Sequence, residues 1–391
     1  MFERLDSLPS DPILGLSQAC QQDGNLNKVD LGVGVYKDEQ GNTPVLTSVI
    51  EAQRLVQERE LTKAYQGPVG NRVFNQQIQS LIFGATSALQ ERLTTLQTPG
   101  GCGALWLGAK LIANARGAAT IWVSSPTWAN HIPLMQGAGL TIKEYPYYDA
   151  STQKVDVDAM MAALAQVPAG DLVLLHGCCH NPCGTDLTLD DWQSVAELAQ
   201  KNGFTPFVDL AYQGFGDGLE EDAQGLRLLA NAVPEMLVAS SCSKNFGLYR
   251  ERTGALTVLA NSAQSADIVF SHLQNASRAV YSMPPAHGAS IVETILTDTA
   301  LRQQWQGEVA DMRERIKSLR ESLSVALAPY GDFGFIPQQR GMFSFLGLSI
   351  EQVTRLKQQY SVYMVDSSRI NLAGINQANL PYLAESIARV L

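Results

Sequence analysis

The sequence predicts an α/β fold: a large domain with a mostly parallel sheet flanked by helices, joined to a small α+β domain. Short apolar or β-branched runs alternate with helical patterns through the middle of the chain. One long amphipathic helix begins near Thr299, and shorter strands and helices follow it. A chain of 391 residues also exceeds the length that one hydrophobic core usually supports, so two domains are expected.

Five short runs in the middle of the chain have the composition of buried strands. They span residues 120–123, 172–175, 205–208, 236–239 and 255–259. Most are separated by helical patterns, such as the apolar residues between Leu189 and Leu198 at three- and four-residue steps. Strands that alternate with helices are typical of a parallel sheet.

The long helix after Thr299 has apolar residues at three- and four-residue steps from Trp305 to Leu327, and Gly331 is its predicted end. A helix of roughly 25 residues is about 37 Å long, so it can run from one domain into the next. Short runs at 342–346, 362–365 and 369–372, a helix at 350–359 and a final helix predict a small α+β unit. We therefore assign residues 1–43 to an N-terminal arm and part of the small domain, 44–310 to the large domain and 311–391 to the small C-terminal domain.

Composition argues against several classes of partner. The formal net charge is −10, which disfavours nucleic acid and anionic membrane surfaces. No uncharged apolar run approaches the ~20 residues of a membrane helix, and the first six residues lack the basic start and apolar core of a signal peptide. The six cysteines do not have the spacing of a disulfide framework. We expect a cytoplasmic protein without nucleic-acid or membrane partners, which must attract any anionic substrate through a few enclosed arginines.

Polar residues follow three of the predicted strands, where the ligand sites of open α/β sheets lie. The segments are 176–185, 209–214 and 240–247, and they carry Asn181, Asp209, Tyr212 and Lys244. A lone lysine in such a turn would be a surface residue. Together these residues offer what pyridoxal phosphate requires: an amine for a Schiff base, an anion that keeps the ring nitrogen protonated, and donors to the phenolic oxygen. The glycine-rich stretch 98–103, before a helix predicted to begin near Ala104, is typical of a phosphate site.

At these motifs the chain resembles class I pyridoxal-phosphate-dependent aminotransferases of the aspartate and aromatic amino acid subgroup. The resemblance runs from the motif at residues 11–14 to Ser368 and Arg369. Its most specific segments are LGVGVY at 31–36, HNP at 180–182, DLAYQGF at 209–215, SKNFGLY at 243–249, Tyr281–Ser282 and PPAHG at 284–288. It implies the pyridoxal-phosphate transferase fold of type I, in which the mostly parallel sheet of the large domain has seven strands flanked by helices.

The resemblance implies roles around the cofactor. Lys244 is the Schiff-base lysine and the proton carrier, and Asp209 is the partner of the pyridinium nitrogen. Tyr212 and Asn181 are donors to the phenolic oxygen. Trp128 is implied to stack on the ring face, and His131 is implied to orient Asp209. The residues implied around the phosphate are Gly101, Cys102, Ser241 and Arg252, with Tyr65 contributed by the other subunit.

For the substrate, the resemblance implies that Arg369 binds the α-carboxylate and that Arg278 of the other subunit binds the distal carboxylate. Bidentate guanidinium-to-carboxylate pairing suits both tasks. Gly34, Trp128 and Asn181 complete the implied substrate site. The implied protein is a homodimer with shared active sites that transaminates aspartate, glutamate or aromatic amino acids with 2-oxoglutarate or oxaloacetate, by ping-pong kinetics through an internal aldimine on Lys244.

The sequence departs from the family pattern at a few positions. Cys102 replaces a hydroxyl residue beside the phosphate, and Trp106 replaces a basic residue. Met283 and Ala64 replace asparagines of the aspartate-specific members, whereas Val35, Lys37 and Thr43 match the aspartate type. An enzyme that acts mainly on aromatic amino acids is therefore the alternative on substrate.

Other classes stay open as rivals. One is another pyridoxal-phosphate enzyme, such as a lyase or decarboxylase, since fold does not fix chemistry. Another is a non-catalytic binding protein of this fold; a transcription factor would need a DNA-binding module that the sequence lacks. A nicotinamide dehydrogenase is disfavoured because Gly32-Val33-Gly34 lacks the third glycine of the dinucleotide fingerprint. The cysteines and histidines at 176–183 are interpreted as buried residues rather than as a metal site, because adjacent cysteines share one tetrahedron poorly.

Overall fold

The computed structural model describes residues 2–7 and 12–391. Asp11, the first residue of the N-terminal motif, lies outside the described residues. The α-helices within the described residues, in chain order α1 to α13, are Pro12–Gln22, Thr47–Arg59, Arg72–Phe83, Gly100–Arg116, His131–Gly137, Val157–Leu164, Leu189–Asn202, Gln224–Ala232, Ala263–Val280, Ala286–Thr297, Thr299–Leu327, Ile350–Tyr360 and Leu380–Ala388. The strands β1 to β13 are Val29–Asp30, Leu93–Pro99, Thr120–Ser125, Thr141–Pro146, Tyr148–Asp149, Lys154–Val155, Leu172–His176, Thr205–Leu210, Met236–Ser241, Thr253–Leu259, Phe343–Phe345, Val362–Tyr363 and Arg369–Asn371.

The main sheet has seven strands in the order β2-β10-β9-β8-β7-β3-β4. Strand β10 is antiparallel to both of its neighbours, and the remaining pairs are parallel. The predicted α/β class with a mostly parallel seven-stranded sheet is thus confirmed. The five predicted runs correspond to β3, β7, β8, β9 and β10, whereas strands β2 and β4 were not predicted.

Helix α4 packs closely against this sheet. A Cβ on Gly108 would lie 2.6 Å from Cζ of Phe207 and 3.1 Å from a methyl of Leu237, so a side chain there would push the helix away from β8 and β9. Leu105 and Leu107 of the same helix are at most 1% exposed in the core cluster. The core therefore holds the first turn of α4 at a fixed place beside the sheet.

Two predicted helix bounds were wrong. Helix α4 begins at Gly100 rather than near Ala104. Three of its first four residues are glycines, and side chains at Gly100 and Gly101 would press against Arg252 and Ser241, so glycine suits this first turn. Helix α11 ends at Leu327, before the predicted end at Gly331. Its apolar periodicity ends at the same residue, so the last apolar position was the better signal.

The chain divides into two compact units. The larger contains Pro44–Asn181 and Thr185–Glu314, and it holds the seven-stranded sheet. The smaller contains the described residues up to Thr43, Pro182–Gly184 and Arg315–Leu391. The smaller unit has two short sheets, in which β1 pairs with β12 in parallel and β11 pairs with β13 in antiparallel fashion.

Trp305 of α11 anchors this helix within the larger unit. Its side chain is 0% exposed and its ring stacks on Phe246 with centroids 4.4 Å apart. The indole Nε1–H donates to the carbonyl of Asn245 at 2.7 Å. The turn that carries Lys244 is thereby tied to the helix. No helix in the described part of the chain is long and apolar enough to cross a membrane.

Candidate active site

Asp209 lies on the central strand β8 at the carboxyl edge of the parallel strands, paired in register with His176 of β7. Asp209 is 8% exposed, and its Oδ2 accepts a hydrogen bond from Nε2 of His131 at 3.0 Å. Burial favours the neutral acid, but the hydrogen bond from His131 and the nearby positive charge of Lys244 act against it, and the pKa of Asp209 is lowered. The site therefore contains a buried carboxylate that stays ionised.

His131 is held by a hydrogen-bond chain that was not predicted from the sequence. The neutral tautomer that donates Nε2–H to Asp209 leaves Nδ1 to accept the hydroxyl proton of Thr127, 2.8 Å away. The same hydroxyl oxygen lies 3.1 Å from Nε2 of His176, which donates to it. Burial and the nearby His131 lower the pKa of His176 to about 3, so this ring is a neutral donor at physiological pH. The one available signal was the position of His176 at the end of the strand beside Asp209.

A stack of rings continues from His176. Its ring centroid lies 3.9 Å from that of His180, which stacks on Tyr147 at 4.1 Å. Nε2 of His180 donates to the hydroxyl of Ser124 at 3.0 Å, because that hydroxyl donates in turn to the carbonyl of Pro126. Burial lowers the pKa of His180 well below its usual value. His176, His180 and Tyr147 thus form a stack of uncharged rings that begins beside Asp209.

Lys244 follows β9, the neighbour of β8, and is half-buried. Its Nζ lies 4.4 Å from the ring centroid of Tyr212, which is 6% exposed. Burial lowers the pKa of Lys244, and the negative charge of Asp209 acts in the opposite direction. A lysine with a lowered pKa has a larger neutral fraction, which is the form that attacks a carbonyl or accepts a proton.

The first turn of α4 faces Ser241 and Arg252. A Cβ on Gly100 would lie 2.6 Å from Nη2 of Arg252, and one on Gly101 would lie 3.2 Å from Cβ of Ser241. Ser241 also donates its hydroxyl to that of Ser243 at 3.1 Å. Free amide groups of a helix N-terminus, a guanidinium and hydroxyls form an anion site that fits a phosphate.

Three further predicted residues lie on the larger unit. Trp128 is half-buried and meets the ring of His131 edge-on, with centroids 5.2 Å apart. Cys102 lies in the first turn of α4, with its sulfur 4.0 Å from Nδ2 of Asn130. Asn181 is 7% exposed at the end of the segment that follows β7.

Tyr65 and Arg278 lie on exposed surface instead of in this cluster. Tyr65 is 92% exposed, and Nη1 of Arg278 donates to the hydroxyl of Ser282 at 2.8 Å. Met283 links the two segments, since its sulfur accepts the backbone N–H of Gln66 at 3.2 Å. An aromatic side chain and a cation are thus presented outward from neighbouring segments.

Arg369 and Gly34 belong to the smaller unit. Arg369 is 6% exposed, and its Nη2 donates to the carbonyl of Gly32 at 2.6 Å. Its guanidinium carbon lies 4.5 Å from the ring centroid of Phe343, and a Cβ on Gly34 would lie 2.8 Å from Cζ of the same ring. Arg369 and Gly34 therefore pack on one aromatic ring.

Two other features of the larger unit lie outside the hydrogen-bonded cluster of Asp209 and His131. Cys178, Cys179 and Asp222 bring potential metal ligands within 4.8 Å of one another, but the Asp222 carboxylate already accepts backbone N–H groups, including those of Gly214 and Gly216. A cavity of about 310 Å³ lies beside the first residues of β7, β8 and β9, and its lining is mostly apolar. That edge of the sheet is opposite to Asp209, so the cavity is not part of the charged cluster.

Comparison with known proteins gives the family. Residues 27–387 match the family described as aminotransferase class I and II. The chain is 50% identical over 396 residues to an aspartate aminotransferase of Salmonella typhi, with all of both chains covered. It is 49% identical over 394 residues to an aromatic-amino-acid aminotransferase of Pseudomonas aeruginosa, covering 100% of this chain and 98% of that protein.

The fold comparison agrees with these matches. An aromatic-amino-acid aminotransferase of Burkholderia pseudomallei, solved covalently bound to pyridoxal phosphate, superposes with a TM-score of 0.98 at 42% identity, covering 100% of this chain and 99% of that one. The resemblance deduced from the sequence motifs is confirmed. The chain belongs to the family of class I and II aminotransferases.

Proposed function

We propose that this protein transfers the amino group of aspartate or glutamate to 2-oxoglutarate or oxaloacetate, and that it uses aromatic amino acids by the same site. The single observation that carries the proposal is the buried pair of Asp209 on β8 and His131 at the start of α5, beside the half-buried Lys244. The names of the full-length relatives support the two substrate classes. A steady-state comparison of aspartate, glutamate, phenylalanine and tyrosine with 2-oxoglutarate tests the proposal, and no turnover of any of them would overturn it.

The cofactor is pyridoxal 5′-phosphate, with Lys244 as its attachment residue. When bound, it supplies a carbonyl that condenses with amines and a protonated ring that withdraws electrons from the substrate Cα. The turn of Gly101 and Cys102, with Ser241 and Arg252, would hold its phosphate. The donor chemistry of that cradle and the space left by the glycines support this assignment.

The chain's own residues move the proton. Lys244 Nζ accepts the proton from the substrate Cα and delivers it to the carbon that takes up the amino group in the half-reaction. Asp209 stays ionised throughout, because His131 donates to it and Thr127 and His176 hold His131 in the donating tautomer. Tyr212 and Asn181 would donate to the phenolic oxygen of the bound cofactor, and Trp128 would cover its ring. Two successive half-reactions give ping-pong kinetics.

Substrate binding requires two carboxylate sites. Arg369 binds the α-carboxylate beside Gly34, and Arg278 binds the distal carboxylate. We propose a homodimer in which Tyr65 and Arg278 of one subunit complete the pocket built on Lys244 of its partner. The exposure of both residues, and the Met283 contact that joins their segments, support a role outside their own pocket.

The cysteine spacing supports a cytoplasmic location. The domain bounds 1–43, 44–310 and 311–391 stay a prediction.

Main activity toward aromatic amino acids is the second candidate. Met283 and Ala64 favour it, because they place apolar side chains near Tyr65 and offer fewer groups to hold a polar substrate. The relative values of kcat/KM for aspartate and phenylalanine decide between the two candidates.

A further inference from the structure

We propose that Asn371 is the positioning residue that holds the Gly32–Val35 segment in register with Arg369, so that the α-carboxylate site is assembled before the substrate arrives. This inference rests on the proposed function for the roles of Arg369 and Gly34. It adds a residue that binds no substrate itself and acts through the backbone.

The side chain of Asn371 uses all of its polar groups. It is 1% exposed, and its Nδ2 donates to the carbonyls of Val33 at 2.6 Å and Val35 at 2.7 Å. Its Oδ1 accepts the backbone N–H of Ala373 at 3.0 Å. Its own backbone N–H donates to the carbonyl of Leu31 at 2.8 Å. A planar amide with two donors and one acceptor is the side chain that satisfies this set.

The segment that Asn371 holds has no strand partner of its own. It follows β1 as irregular backbone, and the N–H of Val35 closes a three-residue turn onto the carbonyl of Val33 at 3.0 Å. The carbonyl of Gly32 accepts from Arg369. The carbonyls of Gly32, Val33 and Val35 thus accept hydrogen bonds from two residues of β13 that are two positions apart and lie on the same face of the strand.

Phe343 also contacts this group of residues. We call residues 32–35, Phe343, Arg369 and Asn371 the carboxylate block. It pairs with Asn371 in the β11–β13 ladder, and its ring contacts both Arg369 and the position of Gly34. Moving the segment would therefore move Gly34 off the ring and remove the carbonyl that orients the Arg369 guanidinium. A displacement of about 1 Å in a substrate-positioning group can cost roughly 10²-fold in rate.

The test compares Asn371→Asp with Asn379→Asp in the holoenzyme. Aspartate keeps the shape of Asn371 but replaces the NH2 group, which donates to two carbonyls, by a carboxylate oxygen that can only accept. Asn379 is a matched control, because it also donates Nδ2 to a backbone carbonyl, that of Gly374 at 3.0 Å, but it does not contact the segment. Steady-state kinetics, the affinity for succinate by calorimetry, the cofactor absorbance spectrum and the melting temperature are measured for both.

We expect Asn371→Asp to raise KM for aspartate and 2-oxoglutarate and the Kd for succinate by about 10-fold or more, with an unchanged cofactor spectrum. The control should stay within about 2-fold of wild type in the same constants. Equal losses in both variants, or a lower melting temperature with unchanged KM, would overturn the positioning role. A wild type that does not transaminate dicarboxylates would instead overturn the proposed function.

A second measurement needs no variant. Succinate binding to the wild-type holoenzyme should slow hydrogen exchange of the amides of residues 32–36 and of β13 together. The reason is that the hydrogen bonds of the carboxylate block make the segment and the strand open as one unit. Protection of β13 without protection of residues 32–36 would show that Asn371 does not couple them, and this outcome would also overturn the proposal.

Discussion

Replacing Asp209 by asparagine isolates the charge of the buried carboxylate. The amide oxygen of the introduced side chain can still accept Nε2–H of His131, so the 3.0 Å contact is kept while the charge is lost. An opposite charge within about 4–6 Å shifts a pKa by about 1–3 units, or about 1.4–4 kcal/mol. If the ring nitrogen loses this stabilisation when Cα deprotonates, proton abstraction should slow by about 10- to 1000-fold.

Stopped-flow measurement of the half-reaction with aspartate gives this rate directly, and the absorbance of the bound cofactor shows whether the variant is loaded. Asp171→Asn is a suitable control, since Asp171 also accepts one ring N–H, from Trp122 at 2.9 Å, at the opposite end of β7. A loaded D209N enzyme that matches the D171N control in the half-reaction would refute the charge argument.

Three further predictions concern the attachment lysine and the shared pocket. Borohydride reduction of the wild type should attach the cofactor to Lys244, and Lys244→Ala should lose transamination; labelling of another lysine would contradict the site. Mixing Arg278→Ala and Lys244→Ala proteins should restore about a quarter of wild-type activity after subunit exchange, because one pocket is intact in the roughly half of dimers that are hybrids; no recovery after proven exchange would mean that each pocket comes from one chain. Arg278→Leu should lower kcat/KM for aspartate by roughly 3 kcal/mol, more than 100-fold, and spare phenylalanine; equal losses for both substrates would remove Arg278 from the distal-carboxylate role.

Strands were predictable where burial on both faces makes a continuous apolar run. Strand β2 was missed because its buried residues include Thr95, Gln97 and Thr98. Their side chains form hydrogen bonds with Thr257, the carbonyl of Pro285 and the carbonyl of Gly100, in that order. Strand β4 lies at the edge of the sheet and exposes most of its side chains, so it resembles a loop in composition. Apolar periodicity therefore predicts neither a buried strand of polar residues, such as β2, nor an exposed edge strand, such as β4.

Parts of the site were predictable because parallel strands end at a common edge. Asp209 and Lys244 follow adjacent strands, and their neighbourhood follows from topology alone. The link from His131 through Thr127 to His176 was not predictable, because it depends on the positions of side-chain atoms from separate segments. The contacts of Asn371 with Val33 and Val35 could not be predicted for the same reason, since these partners lie more than 300 positions away.

The hydrogen bond between Trp305 and the carbonyl of Asn245 should make the fluorescence of Trp305 sensitive to changes in the turn that carries Lys244. A buried indole emits at short wavelength, and its emission depends on the hydrogen bond of its N–H group. That bond ends on the residue directly after Lys244, so events at the lysine turn should change the light emitted from a helix 60 residues further along the chain. Loading of the cofactor and binding of unreactive acids can then be followed without a label, and Trp305→Phe separates this signal from that of the other four tryptophans.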